Sequence, residues 1–304
     1  MGEIWGVLAA VLSSCIGGTS IGATRYLVNA IDPLAIGSFR FGIGFLLLLP
    51  ITLWQGARWP ARLDWPAVTG LGVLYFGLFP ILFNASLIFT TAARGALALS
   101  TLPLLTMVVG ASLGREALTA RKSLGVVIAM IGVALALLSG LSTAPPGAWR
   151  GDLLMVGAAL CMALYSVWSK PFIARSGPIP FTTMAMGVGA VCLILISCWR
   201  GSFAPVAAFG NPQWLAAIYL GAFGGALTFY LWAFALDRTT PTRVAISVTV
   251  NPITASFVGA VLLQEPLRWN LVGGIVTVFV GIWIATTSGR RPVPSAQLQS
   301  ARSD

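Results

Sequence analysis

The sequence predicts an all-α polytopic membrane protein of ten transmembrane helices, arranged as two inverted five-helix repeats. Three observations carry this expectation. Of 304 residues, 57% are hydrophobic and only 9% charged, whereas soluble domains carry roughly 25% charged residues. The mean hydropathy is +0.90, and the apolar residues fall in blocks of about 20, the length a helix needs to cross a hydrocarbon layer of ~30 Å. Finally, the second half of the chain repeats the first.

Taken in order, the apolar blocks place spans at 4–24, 33–54, 66–88, 92–113, 123–141, 152–173, 180–199, 213–236, 241–263 and 270–287. The first starts at Ile4 behind Met-Gly-Glu, without a basic leader region or a small-residue cleavage site, and is read as a retained helix. The breaks between spans carry turn chemistry: Asp32-Pro33, Arg58 to Asp64 with Pro60, Pro145-Pro146-Gly147, Gly177-Pro178, Asn211-Pro212 and Thr240-Pro241. Such short connections make successive helices antiparallel. The polar stretch 289–304 reads as a disordered cytoplasmic tail.

The net charge of +10 is spread singly or in pairs between the apolar blocks, so no basic stripe exists to follow a nucleic acid. Its distribution instead sets orientation, because cytoplasmic loops retain Lys and Arg. With the N-terminus inside, the inner side holds Arg58, Arg62, Arg115, Arg121, Lys122, Lys170, Arg175, Arg238, Arg243, Arg290, Arg291 and Arg302, and the outer side Arg25, Arg94, Arg150, Arg200 and Arg268. Both termini are therefore expected in the cytoplasm. Most tryptophans fall at proposed boundaries, with Trp168, Trp232 and Trp283 deeper. Histidine is absent, and Cys15, Cys161, Cys192 and Cys198 have no metal-ligand spacing, so no metal or cofactor is expected. No HExxH, DxxD or Ser/His/Asp set argues for an enzyme.

A shift of 149 residues lays Leu87–Ala136 on Leu236–Ala285 without a gap, matching 16 of 50 positions, where so biased a composition gives roughly 5 by chance. The shared positions include Thr91 with Thr240, Arg94 with Arg243, Pro103 with Pro252, Gly110 with Gly259, Glu116 with Glu265 and Gly125 with Gly274. Each copy holds five spans, an odd number, so the second is expected upside down. Residues 1–145 then form the first repeat and 146–288 the second.

The doubled pattern, TTAARGALALSTLPLLTMVVGASLGREALTARK and TTPTRVAISVTVNPITASFVGAVLLQEPLRWN, closely resembles the EamA domain of the drug/metabolite transporter superfamily over about residues 4–287. The segment DPLAIGSFRFGIGFLLLLP, with Arg40, is similar to the family's entry to its second helix. Within the superfamily the chain looks most like the bacterial YddG-type exporters of aromatic and other neutral amino acids. The resemblance implies a ten-helix inner-membrane carrier, a small-molecule substrate, the lipid bilayer as its surroundings, and alternating access around a central cavity. A monomer suffices for that arrangement. The rival reading is efflux of drugs or quaternary cations.

Candidate site residues follow from cost, because ionisable and polar groups inside the bilayer are expensive and usually functional. Arg40 lies about two turns inside span 2, either facing a substrate carboxylate or satisfying helix ends. The mid-depth polar and aromatic candidates are Tyr75, Phe79 and Asn84 in span 3, Ser100 in span 4, and Tyr165 and Trp168 in span 6. Spans 8 and 9 add Tyr230, Trp232, Ser247 and Asn251. Together they offer donors, acceptors and apolar walls, which suits a zwitterion. Pro80, Pro103 and Pro252 each remove a mid-span donor and are candidate hinges, with static kinks as the alternative. Glu116 and Glu265 read as helix caps or partners of nearby arginines, with gates or proton carriers as the alternative. No carboxylate is expected deep in a span, which favours facilitated over proton-coupled transport.

Overall fold

The computed structural model describes residues 2–56, 58–115 and 145–264, together with scattered positions within 120–132 and 269–280. Among the described residues, eight helices are long and apolar enough to span a membrane: α1 Gly2–Leu27, α2 Pro33–Trp54, α3 Arg62–Phe89, α4 Ala92–Ser112, α5 Ala148–Ser176, α6 Pro178–Arg200, α7 Asn211–Arg238 and α8 Pro241–Leu262. Apart from those scattered positions, the expected spans 123–141 and 270–287 lie outside the described residues, as do Glu116, Glu265 and the tail.

Helix starts follow local chemistry. Asp32 caps α2 by accepting from the Leu34 amide at 2.8 Å, with Pro33 in the first turn, where no amide donor is needed. Thr91 and Thr240 cap α4 and α8 alike, their hydroxyls accepting from the Arg94 and Arg243 amides at 3.3 and 3.4 Å. Gly177, at φ 88°, turns α5 into α6, a conformation that side chains resist.

Four helices are interrupted at mid-depth, at equivalent places in the two halves. In α3 the backbone widens to a π-helix over Val73–Leu78, and in α7 over Leu220–Leu227. α4 breaks at Ser100–Thr101 and α8 tightens to a 3₁₀ turn over Val248–Val250. Pro80, Pro103 and Pro252 each occupy the second position of the helix that resumes after an interruption. There a missing amide costs little, so each proline marks the end of a break already made.

α1 packs on α7 and α8, and α5 packs on α3 and α4, while α2 and α6 pack antiparallel, Ser38 meeting Ser197 and Thr52 meeting Thr183. Hydroxyl pairs join these helices internally: Ser38 with Ser197 at 3.0 Å, Thr52 with Thr183 at 2.8 Å and Ser14 with Ser247 at 2.8 Å. Such bonds replace partners that hydrocarbon does not offer. The outward faces carry exposed Leu46, Leu195, Leu215 and Phe257, and Trp54 and Trp199 stand exposed at helix ends. One end of the bundle gathers Glu3, Asp64, Arg175 and Arg243, tied by the ion pairs Arg175–Asp64 and Arg243–Glu3. The opposite end gathers Arg25, which donates to the Leu87 carbonyl at 3.1 Å, and the pair Arg94–Asp152.

Candidate functional site

A cavity lies at mid-depth where the interrupted helices meet. α1 contributes Ser13, Ser14, Gly17 and Ile21, α2 contributes Arg40, and α3 contributes Tyr75, Phe79 and Phe83. Leu99 and Met162 come from α4 and α5, Thr228, Phe229 and Trp232 from α7, and Val248 and Asn251 from α8. The space is about 30 Å³, room for a single water. A metabolite fits only when the walls part.

The interruptions aim groups at this space. The π-helical turn of α7 presents the Gly224 carbonyl to Arg40, whose Nε donates to it at 3.0 Å. π-Turns of this kind recur at functional sites because they displace the hydrogen-bond ladder. The carbonyls left without an α-helical donor by Pro103 and Pro252 belong to Leu99 and Val248, four residues earlier, and both residues line the cavity; the Val248 carbonyl accepts instead from the Asn251 amide in the 3₁₀ turn. They are equivalent under the 149-residue shift.

Arg40 is the dominant group. It is 4% exposed, and among the described residues no carboxylate pairs with it. Its guanidinium lies over three rings, 5.5 Å from the centroid of Phe41, 5.6 Å from Phe83 and 5.4 Å from Phe229. An arginine at a helix centre costs about 2.5–3.5 kcal/mol to insert. A charge-assisted hydrogen bond returns about 1.5–3 kcal/mol, and each cation–π contact about 0.5–2 kcal/mol. The charge is thus tolerated without an anion of its own. Beside it, the Tyr75 hydroxyl and Asn251 Oδ1 are buried without a hydrogen-bond partner, a cost normally met by a ligand or water.

Of the residues singled out in the sequence, Arg40, Tyr75, Phe79, Trp232 and Asn251 line this cavity. Tyr165 stands behind it, stacked on Tyr75 with ring centroids 4.0 Å apart, and Ser247 bonds to the lining Ser14. Trp232 is held by Ser166, to which its Nε1 donates at 3.3 Å. Four candidates lie elsewhere. Asn84 donates to the Pro33 carbonyl at 2.9 Å and so fastens α3 to the start of α2. Ser100 bonds back to the Ala96 carbonyl of its own helix. Trp168 is 41% exposed on an outer groove beside Pro171 and Phe172, and Tyr230 packs on Phe234. Sequence reasoning missed Ser13 and Ser14, although two hydroxyls at the middle of span 1 were a visible signal. It also missed Phe229, adjacent to Tyr230 and on the neighbouring face.

Eight apolar spans among the described residues, around a mid-depth cavity that holds a buried arginine, define a polytopic membrane protein. The EamA-like transporter family matches the chain twice, over residues 4–138 and 149–287, and the chain belongs to that family of membrane transporters. An uncharacterized transporter of Archaeoglobus fulgidus is 26% identical over 92% of this chain and 97% of its own. The uncharacterized transporter YyaM of Bacillus subtilis is 26% identical over 93% and 94%. A probable terminal-alkyne amino-acid exporter of Streptantibioticus cattleyicolor is 26% identical over 86% and 91%. A crystal structure 21% identical in sequence shares the fold, with a TM-score of 0.71 over 94% of this chain and 98% of that one.

Proposed function

We propose that this transporter exports small neutral metabolites, with aromatic and other neutral amino acids foremost, by alternating access around the Arg40 cavity. The observation that carries this reading is the buried Arg40 guanidinium, free of any described carboxylate, beside the unpartnered Tyr75 hydroxyl and Asn251 Oδ1. The guanidinium receives a substrate carboxylate in the bidentate geometry that planar forks favour. Asn251 Oδ1 and the Leu99 carbonyl accept from an ammonium, and Phe79, Phe83, Phe229 and Trp232 hold an apolar or aromatic side chain. The amino-acid exporter of Streptantibioticus cattleyicolor points the same way. Efflux of organic cations is disfavoured, because the rings that would cage a cation already hold Arg40.

In this reading residues 1–145 and 146–288 are two inverted five-helix halves. Their matching interruptions and the exchange of α1 and α5 between them support it. The end that holds Glu3 and Asp64 is the cytoplasmic one. Among the described residues it carries Arg58, Arg62, Arg115, Lys170, Arg175, Arg238 and Arg243, against Arg25, Arg94, Arg150 and Arg200 at the other. The membrane is the bacterial inner membrane and the carrier works as a monomer. Transport is facilitative, since no described Asp or Glu lines the cavity.

The test is counterflow of labelled L-phenylalanine, L-leucine and L-alanine in proteoliposomes of the purified protein, with and without a pH gradient. Exchange of neutral amino acids at a rate indifferent to the gradient is expected. Clear efflux of cationic dyes with no amino-acid movement overturns the reading, and proton movement locked to substrate refutes its facilitative part.

A further inference from the structure

Two ion pairs outside the cavity stand in a relation that neither the fold nor the family match requires. Arg94, in the first turn of α4, makes a forked contact with Asp152 of α5: its Nε lies 3.1 Å from both carboxylate oxygens and its Nη2 2.6 Å from Oδ2. Arg243, in the first turn of α8, pairs with Glu3 of α1. Under the 149-residue shift that equates Arg94 with Arg243, Asp152 falls on Glu3. The same contact is therefore made twice, each time between the fourth helix of one half and the first helix of the other. Both arginines sit in a first turn capped the same way, their backbone amides donating to the Thr91 or Thr240 hydroxyl. The two copies lie at opposite ends of the bundle.

We propose that Arg94–Asp152 and Arg243–Glu3 are a symmetric pair of gates, one for each face of the membrane, which must open in turn for a solute to pass. The inference rests on the alternating-access reading above. Each pair ties a helix that carries a mid-depth break, α4 at Ser100–Thr101 or α8 at Val248–Val250, to a cavity-lining helix of the other half. Parting one pair lets the outer segment of the broken helix swing from the cavity on that face alone. Both pairs are formed in this structure, which agrees with a cavity too small for a metabolite.

The two gates differ in strength. The side chains of Arg94 and Asp152 are 7% and 14% exposed, against 46% and 56% for Arg243 and Glu3. Water and salt screen the second pair far more than the first. The Glu3 face, which Arg175–Asp64 also ties through an arginine 57% exposed, is accordingly the one that opens more readily.

The test is one-sided thiol labelling without substrate. Leu99, a cavity residue, is replaced by cysteine in a chain whose Cys15, Cys161, Cys192 and Cys198 are alanine, and a membrane-impermeant methanethiosulfonate is added to one face of oriented proteoliposomes. D152N is expected to speed labelling at least 10-fold from the Arg94 face. E3Q is expected to speed it about 3-fold from the Glu3 face, and the R94D/D152R swap to return the slow rate at the Arg94 face. The proposal is overturned if D152N and E3Q favour the same face, if neither changes labelling in folded protein, or if the swap labels as fast as D152N. Glu3 is exposed, so E3Q decides alone should D152N fail to fold. Face-selective labelling without amino-acid counterflow retains the gates and rejects the substrate. Counterflow with unresponsive labelling does the reverse.

Discussion

Replacing Arg40 with alanine is expected to weaken amino-acid transport roughly 10- to 150-fold, chiefly through the apparent affinity. A hydrogen bond to a charged partner contributes about 1.5–3 kcal/mol, which is the stated range at 1.4 kcal/mol per decade. The fold should survive, because the variant removes a charge that was balanced by its own contacts, the Gly224 carbonyl and three rings. Arg40→Lys keeps the charge but loses the planar fork and the reach to Gly224, so partial transport is expected. Counterflow at several substrate concentrations checks both variants. Full transport by a stable Arg40→Ala protein would remove Arg40 from the site.

The second large effect concerns packing. Gly72, just before the π-helical turn of α3, lies against the backbone of α6. A Cβ there would sit 2.5 Å from the Ala185 carbonyl oxygen and 3.2 Å from its Cα. Backbone cannot turn aside, so Gly72→Val is expected to cost about 3 kcal/mol, the upper end for overpacking, and to lower the melting temperature by roughly 5–10 °C. At Gly221, its equivalent under the 149-residue shift, a Cβ would sit 2.4 Å from Ile43 Cβ and 2.5 Å from its Cγ2; the Ile43 Cβ does not move with the rotamer, so Gly221→Val should cost a comparable amount. Gly70, in the same helix, is exposed, and a Cβ added there would meet nothing within 4 Å. Gly70→Val is the neutral control. Melting curves in detergent with and without valine at the three positions check that the Gly72 and Gly221 variants are both destabilised while the Gly70 variant is not.

The spans were legible because their ends are written locally. Asp32-Pro33, Thr91 and Thr240 each combine a capping side chain with the start of an apolar block, and α2 occupies 33–54 as expected, with α4 ending one residue short of 113. What was not legible was direction. A helix apolar nearly all round has little amphipathic signal to say which face is inward. Trp168 and Tyr230 were therefore recognisable by depth while the structure turns them from the cavity, and Phe229, beside Tyr230, faces it. Asn84 shows a second limit: a polar side chain at mid-span can serve a helix end as well as a ligand, and only the Pro33 carbonyl decides.

The interruptions escaped for another reason. Proline signals that a donor is missing, which located the breaks in α3, α4 and α8, but the π-helical turn of α7 holds no proline and its Gly-Gly pair has many other uses. The ion pairs were hidden by distance along the chain. Arg94 and Asp152 read as loop or boundary residues, 58 positions apart, whereas both lie in the opening turns of their helices and face each other.

The most direct measurement of the central claim is a competition series in the counterflow assay, using L-phenylalanine, 3-phenylpropionate and 2-phenylethylamine against labelled L-phenylalanine. The three share a ring and differ only in which charge they present. If Arg40 holds the substrate carboxylate, L-phenylalanine competes best, 3-phenylpropionate competes measurably, and 2-phenylethylamine competes least, with the first two losing their advantage in Arg40→Ala. Equal or stronger competition by 2-phenylethylamine in the unaltered protein would contradict the account, because it would mean that the cavity selects a cation despite its own buried guanidinium.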